Sequence, residues 1–486
     1  MEPALRRAQA RLEPDAAEMR RMVDAAMSRI IDHIGSLPHQ PAGPTRPPAE
    51  AARAVRGAIP EEGRDLETLL DLVFDKAVPE SFNSAGPGYL AYIPGGGLFH
   101  SAVADLVADA INRYTGVWQA APALVQLEAD ALDWMCTMVG YDVGGTPRPG
   151  GILTSGGSIA NLVAIVTARR ARLPEDFLHG VLYASDQTHH SVAKAAVLAG
   201  FPARNVRSVP TDDRFRMDLE ALRGMVAEDR TAGRAPFFVV GNAGSTNTGA
   251  VDDLGGIGRF AREEGLWYHI DAAYGGFFLL TERGKERLRG TEAADSVTLD
   301  PHKGLFLPFG TGALVVKDRD DLVRAHAVDA DYLPSQPAEG EFADFSTMSP
   351  ELSRPYRGLG LWLPLQALGV STFRTALDEK LDLAQVVFTG IQKLPHIEVL
   401  AAPQLSVTAF RLRPPGLDDE ALDRLNERFL AAVNRRQRVY LSGTRLHGRF
   451  ALRVCILTHR THLERVEMCL EDLQGAAEEV LGAITV

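Results

Sequence analysis

Asp271 closes the apolar run Leu266-Trp267-Tyr268-His269-Ile270, and Lys303 stands just past a second run, Ser296-Val297-Thr298-Leu299, within Asp300-Pro301-His302-Lys303-Gly304. A lysine amine so placed can form a Schiff base with an aldehyde. A carboxylate opposite it can keep a pyridine nitrogen protonated, so that the ring draws electrons from a bond breaking beside it. That pairing suits pyridoxal phosphate. Either residue alone reads more simply as a strand-end acid or a surface lysine, so the interpretation requires a phosphate site as well.

A candidate lies upstream in Gly150-Gly151-Ile152-Leu153-Thr154-Ser155-Gly156-Gly157-Ser158-Ile159-Ala160-Asn161. An apolar strand breaks there into small residues before a helical run begins at Leu162-Val163-Ala164-Ile165-Val166. Gly156 and Gly157 let backbone N–H groups approach an anion, and the Ser158 hydroxyl adds a donor at the positive end of the helix. The segment is neither GxGxxG nor a GxxxxGK loop, which argues against dinucleotide and nucleoside triphosphate sites. A third element, Asp186-Gln187-Thr188-His189-His190-Ser191, follows the strand-like Val181-Leu182-Tyr183-Ala184. An imidazole at such a strand end can stack on a heteroaromatic ring.

Taken in this order, the motifs resemble those of the group II pyridoxal-phosphate decarboxylases, which include aromatic-amino-acid, histidine and glutamate decarboxylases. The resemblance runs from about Ile59 to the C-terminus and rests also on Gly88-Tyr89-Leu90-Ala91-Tyr92-Ile93-Pro94 and Trp118-Gln119-Ala120-Ala121-Pro122-Ala123. It implies pyridoxal 5′-phosphate as cofactor and the α/β architecture of fold type I, the PLP-dependent transferase fold. That fold has a central, mostly parallel seven-stranded sheet, an N-terminal helical segment and a smaller C-terminal α+β domain. By the same resemblance Lys303 is the Schiff-base lysine, Asp271 the pyridinium partner and His189 the histidine stacked on the ring. Gly156, Gly157 and Ser158 form the phosphate cradle with His302 nearby, Thr246 lies close to the cofactor, and Ala273 is the small residue under the ring. The reaction implied is loss of CO₂ from an L-amino acid through a quinonoid intermediate, the broken bond being the one held perpendicular to the ring.

Departures from the family pattern open alternatives. The family returns a proton to Cα from a tyrosine on a mobile loop. Counting back from Arg354-Pro355-Tyr356-Arg357, that position here is Phe345, in Asp344-Phe345-Ser346-Thr347-Met348-Ser349-Pro350. This exchange resembles the aldehyde synthases, which consume O₂ and yield aldehyde, ammonia and peroxide. Tyr332 or a histidine could instead supply the proton to an ordinary decarboxylase, leaving Phe345 a lid residue. Asp300 stands where the family commonly has asparagine, and an aspartate near a dianion is repelled unless it turns away or holds a donor. On the substrate side, Tyr92, Ile93 and Pro94 match the aromatic decarboxylases, while Gly95-Gly96-Gly97 replaces bulkier residues. No Arg or Lys falls in this segment to bind a side-chain carboxylate, which favours an aromatic over an acidic amino acid. Arg411 and Arg453 lie in apolar C-terminal strands, where a carboxylate-binding arginine would suit an aminotransferase; ion pairing is the simpler expectation for both.

These residues must be positioned by a regular scaffold. Strand candidates are Val181–Ala184, Val206–Val209, Phe237–Gly241, Trp267–Ile270, Ser296–Leu299 and Gly312–Val316, with helical patterns at Leu219–Ala227 and Leu254–Glu264 between them. Such alternation predicts a mostly parallel sheet covered on both faces, with ligand groups gathered at the strands' carboxyl ends. Beyond about residue 375, helical patterns at Leu377–Leu394 and Asp418–Arg435 alternate with strand-like Ser406–Leu412 and Phe450–Leu457. The expected division is a helical dimerisation segment at 1–98, a cofactor-binding domain at 99–373 and a small domain at 374–486. The first ~35 residues carry apolar positions at helical spacing. In the resembled family this region packs across a partner subunit, which implies a homodimer with composite active sites.

Composition sets the remaining bounds. A chain of 486 residues is long enough for more than one domain, and its net charge of −12 argues against nucleic acid and anionic membranes as partners. No apolar run reaches the length of a membrane span, and the first residues lack a secretory h-region. The three cysteines, Cys136, Cys455 and Cys469, are few and far apart. They fit reduced thiols in the cytoplasm and neither a disulfide framework nor a metal site.

Overall fold

The computed structural model describes residues 12–327 and 342–483. Its main sheet contains β1 (Gly150–Thr154), β2 (Gly180–Ser185), β3 (Val206–Val209), β4 (Ala235–Asn242), β5 (Trp267–Asp271), β6 (Ser296–Leu299) and β7 (Gly312–Val316). The spatial order is β1-β7-β6-β5-β4-β2-β3. Strands β2 to β6 pair in parallel, and β7 runs against both neighbours, β1 and β6. The mostly parallel seven-stranded sheet is therefore present, with one reversed strand. Strands β5, β6 and β7 are buried throughout, which is why they read as unbroken apolar runs and not as alternating ones.

The long N-terminal helix α1 (Ala16–Ser36) is capped by Asp15, whose side chain accepts from the Glu18 N–H, and it buries none of its residues. Met19, Met22, Val23 and Ile31 on it face solvent. Arg29 ties it to Asp71 and Asp75 in the helical stretch Leu66–Ala77. Helices α2 (Phe99–Ile111) and α3 (Pro122–Met138) lead to the sheet, and α4 (Gly157–Arg172) follows β1 directly. The helices at Leu219–Thr231 and Leu254–Glu263 begin at Asp218 and Asp253, each accepting from first-turn N–H groups. An aspartate just ahead of an apolar helical run is a start signal that the sequence displays openly.

The C-terminal part folds around a second, wholly antiparallel sheet of β8 (Ile397–Ala401), β9 (Val407–Leu412), β10 (Ser442–Leu446) and β11 (Arg449–Cys455), ordered β10-β11-β9-β8. The strand-like patterns found β9 and β11 and passed over β8 and β10. Helix α5 (Val370–Ile391) crosses the expected boundary at 373/374 without a break. Its Phe373, Leu377 and Leu381 belong to the core of the large sheet, while Leu383, Val387 and Ile391 belong to the core of the small one. No helix of the described residues is long and apolar enough to cross a membrane. Cys136, Cys455 and Cys469 are all buried and unbridged.

Because α5 fills both cores, truncation at its buried face costs cavity energy. Leu377→Ala is expected to lower unfolding stability by about 2–4 kcal/mol, against less than about 0.5 kcal/mol for the half-exposed Val386→Ala. Urea denaturation of the two variants measures the difference.

Candidate active site

The carboxyl ends of β1, β2, β4, β5 and β6 surround one cavity of ≈ 270 Å³. Lys303, Asp271, His189, Gly156, Gly157, Ser158, Thr246, Ala273 and His302 all line it. Residues spread over 150 positions of sequence thus meet at the edge of the sheet where ligands of open α/β folds collect.

Asp271 ends β5 between Asn242 of β4 and Thr298 of β6, the three standing side by side in register. Its Oδ2 accepts from Asn161 Nδ2 at 3.0 Å, and Oδ1 from the Ala273 N–H at 3.2 Å. Asn161 lies one turn into α4. Its amide also donates to Ser191 Oγ at 3.0 Å, while its Oδ1 accepts from Thr298 Oγ1 at 2.8 Å and meets His269 Nε2 at 3.0 Å. Asn161 Oδ1 has only lone pairs to offer, so His269 must carry its hydrogen on Nε2. Its Nδ1 then accepts from Ser296 Oγ, which in turn accepts from the Trp267 indole N–H. Burial holds the His269 imidazole neutral, at about 4 against an ordinary 6.5. Asn161 went unrecognised from sequence, although an asparagine inside an apolar helical run was the signal available.

His189 is oriented by Ser191, whose Oγ lies 2.8 Å from His189 Nδ1. Burial lowers its proton affinity and the nearby Asp271 partly restores it. The phosphate turn begins at the end of β1. Gly156 has φ +149°, a conformation that side chains disfavour, and no side chain caps α4. The first N–H groups of that helix are therefore left for an anion. Ala273 is small because the turn packs on it: a Cβ at Gly157 would come within 3.2 Å of the Ala273 methyl. Thr246 is held from the second sheet, since Arg453 donates to its carbonyl and Thr444 bonds the neighbouring Asn247.

Lys303 sits in the short helix Pro301–Gly304, and its Nζ is 2.7 Å from Asp300 Oδ2. Asp300, anticipated either to turn away or to hold a donor, holds this one. His302 donates from Nδ1 to the Thr311 carbonyl at 2.7 Å.

Four expected site residues are not among those lining the cavity. Phe345 is fully buried beneath the Arg354 guanidinium, 4.3 Å from its ring centroid, and lines a separate small cavity with Arg148 and Arg319. Its ring faces a cation that pairs with Glu128 and does not face this chain's own cavity. Tyr92 is half-exposed, with its backbone N–H bonded to Ser442. Ile93 and Pro94 lead into glycines that run against the lysine turn, where a Cβ at Gly95 would stand 2.6 Å from the His302 carbonyl. Tyr332 lies outside the described residues. Arg411 has the expected ion pair, to Glu398, whereas Arg453 bonds Ser442 and the Thr246 carbonyl in place of a carboxylate.

The family model for the pyridoxal-dependent decarboxylase conserved domain matches residues 48–413. The chain belongs to this family. It is 33% identical to an aromatic-L-amino-acid decarboxylase of Bacillus atrophaeus, over 96% of this chain and 97% of that protein. The crystal structure of Oryza sativa TDC with PLP and tryptamine superposes with a TM-score of 0.91 at 27% identity, covering 96% of this chain and 99% of that one. The 4-hydroxyphenylacetaldehyde synthase of Rhodiola rosea superposes with a TM-score of 0.88 at 25% identity, over 96% and 99% of the two chains. The protein is a pyridoxal 5′-phosphate-dependent carboxy-lyase of fold type I. The cavity fits that cofactor: an uncapped glycine turn for phosphate, a lysine for the aldehyde and a buried carboxylate for the ring nitrogen.

Asn161→Ala would leave Asp271 short of a donor and strand the Thr298 hydroxyl and the His269 N–H, so a loss of about 1–3 kcal/mol in urea denaturation is expected. The His269 contribution has a defined pH sense. Its folded affinity for protons is depressed, so its stabilisation is complete above pH 6.5 and disappears as pH falls towards 4. Asp252, pushed up to about 6 by burial, acts in the opposite sense. The acid-side fall in Tm should therefore be shallower in a His269→Gln variant than in the wild type, and parallel curves would refute the assignment.

Proposed function

We propose that this enzyme decarboxylates an aromatic L-amino acid to the corresponding amine. The supporting observation is the cavity's charge. Among the described residues that line it, Lys303 is the only lysine, and no arginine is present to hold a substrate's side-chain carboxylate. The names of the relatives agree with an aromatic substrate.

In this reading Lys303 carries the cofactor, which when bound supplies the electron sink for the pair left at Cα as CO₂ departs. Asp271 keeps a proton on the ring nitrogen, and Asn161 fixes the carboxylate's direction. His189 packs on the ring face at the angle set by Ser191. Gly156, Gly157 and Ser158 bind phosphate, with Thr246, Ala273 and His302 closing the walls. Tyr92, Ile93 and Pro94 contact substrate as part of a composite site completed by a second copy of the chain. Support for a homodimer comes from the unpartnered apolar side chains of α1 together with Val103, Leu106, Val107 and Ile111 on α2. Three buried, unbridged thiols suit a reducing compartment such as the cytoplasm. The division at 1–98, 99–373 and 374–486 stands as our description of the parts, with α5 shared by the last two.

The test is a panel of aromatic, acidic and basic L-amino acids with CO₂, amine, aldehyde and peroxide followed together. Aromatic substrates should give CO₂ and amine in equal amounts without oxygen uptake. Stoichiometric peroxide would establish the aldehyde route in its place. Lys303→Ala should abolish turnover, and Asp271→Asn should lower kcat by at least about 100-fold. With its ring beneath Arg354, Phe345→Tyr should leave the amine-to-aldehyde ratio unchanged; a shift in that ratio would place residue 345 at the reacting carbon. Light scattering at micromolar concentration should return the mass of a dimer.

A further inference from the structure

Asp300 is an ionisable cavity residue to which the family chemistry gives no task. It is 1% exposed, lies between β6 and the lysine turn, and its Oδ1 is buried with no hydrogen-bond partner among the described residues. The carboxyl stands on the floor of the phosphate turn. A Cβ at Gly157 would come within 3.1 Å of Oδ2, and one at Gly312, where β7 begins, within 2.8 Å of Oδ1. The charged and titratable groups facing it are Lys303 at 2.7 Å, His302 at 3.6 Å and, further off, His189. Two problems meet at this point. The Lys303 ammonium is not nucleophilic until it loses a proton, and a phosphate entering the turn faces a second anion.

We propose that Asp300 solves both by taking the Lys303 proton during cofactor capture and then donating it as a hydrogen bond to the phosphate. An N–H bond of the ammonium breaks and an O–H bond forms on the Asp300 carboxyl. The freed amine attacks the aldehyde carbon, and the aldehyde oxygen leaves as water with the two hydrogens remaining on nitrogen. The lysine–aspartate pair is neutral before the transfer and neutral after it. The buried Oδ1, which has no donor in the free protein, becomes part of a neutral carboxyl beside the anion. Asp300 is thus a positioning and proton-holding residue for loading, and an asparagine in its place could donate to phosphate but could not hold the proton.

The inference rests on the cofactor assignment above and is separable from it. Isothermal titration of the apo protein with pyridoxal 5′-phosphate, in buffers of different ionisation enthalpy near neutral pH, counts protons exchanged per site. Asp300→Asn should release about one more proton per cofactor bound than the wild type, since nothing remains to retain it. Asp300→Ser should match Asp300→Asn, and serves alone if the asparagine variant does not fold. With pyridoxine 5′-phosphate, which has no aldehyde, Lys303 keeps its proton and the difference should vanish. Equal proton counts in variant and wild type would overturn the proposal, as would an undiminished difference with the alcohol. A wild type that takes up the cofactor without visible absorbance would instead count against the covalent assignment to Lys303.

Discussion

A carboxylate buried at the end of a central strand is tolerable only where donors meet it, and Asp271 obtains its side-chain donor from the single amide of Asn161. That amide can point the right way because its oxygen is claimed from the other side by Thr298 and His269. The chain of donors continues through Ser296 to the Trp267 indole, so the direction of one carboxylate is set by residues on β5, β6 and α4 together. The same amide reaches Ser191 and, through it, His189. His189 and Asp271 are thereby both referenced to one residue. Partial satisfaction would be worse than none in such a network, because Asn161, His269, Asp271, Ser296 and Thr298 are all buried.

The site is also a seam between two packing bodies. The large sheet contributes the strand ends, but the turn carrying Thr246 is held by Arg453 and Thr444 of the small sheet, and Tyr274 shares a hydrogen bond with Ser406. Helix α5 welds the two cores by filling both. Arg453 is almost wholly buried, and burial lowers its proton affinity; its donors go to a carbonyl and a hydroxyl, with Nε left unmatched. An arginine in that condition couples the small sheet to the cavity wall through its hydrogen bonds to Ser442 and the Thr246 carbonyl.

What could be read from sequence follows from these physical conditions. Strands β2 and β4 to β7 were legible because burial forces largely apolar runs, whereas the partly exposed edge strand β3 showed only its two valines. Strand β8 is an edge strand only partly buried along its length, and β10, the other edge, carries Gly443, Thr444 and Arg445. Neither had reason to look like a strand. Lys303, Asp271 and the glycine turn were legible as chemistry through their combination and order along the chain, and they meet at one cavity. Asn161 was not, because its importance lies in partners more than a hundred positions away. Counting along the chain singled out Phe345 and told nothing of where its ring points.

The position of that ring has its own cause. Arg354 and Glu128 form an ion pair with side chains 1% and 0% exposed, which in apolar surroundings needs every available favourable contact. Among the described residues Glu128 Oε2 and Arg354 Nε have no hydrogen-bond partner, so the pair is under-satisfied by hydrogen bonds alone. The face of Phe345 supplies part of the deficit through its quadrupole, and an Arg354 donor to the Thr115 carbonyl supplies more. A phenolic oxygen added to this ring would extend an aromatic already buried on all sides, and would enter either a packed wall or the small cavity beside Arg148 and Arg319. Phenylalanine at 345 is therefore accounted for by the buried arginine it covers, independently of any part it plays in choosing between amine and aldehyde.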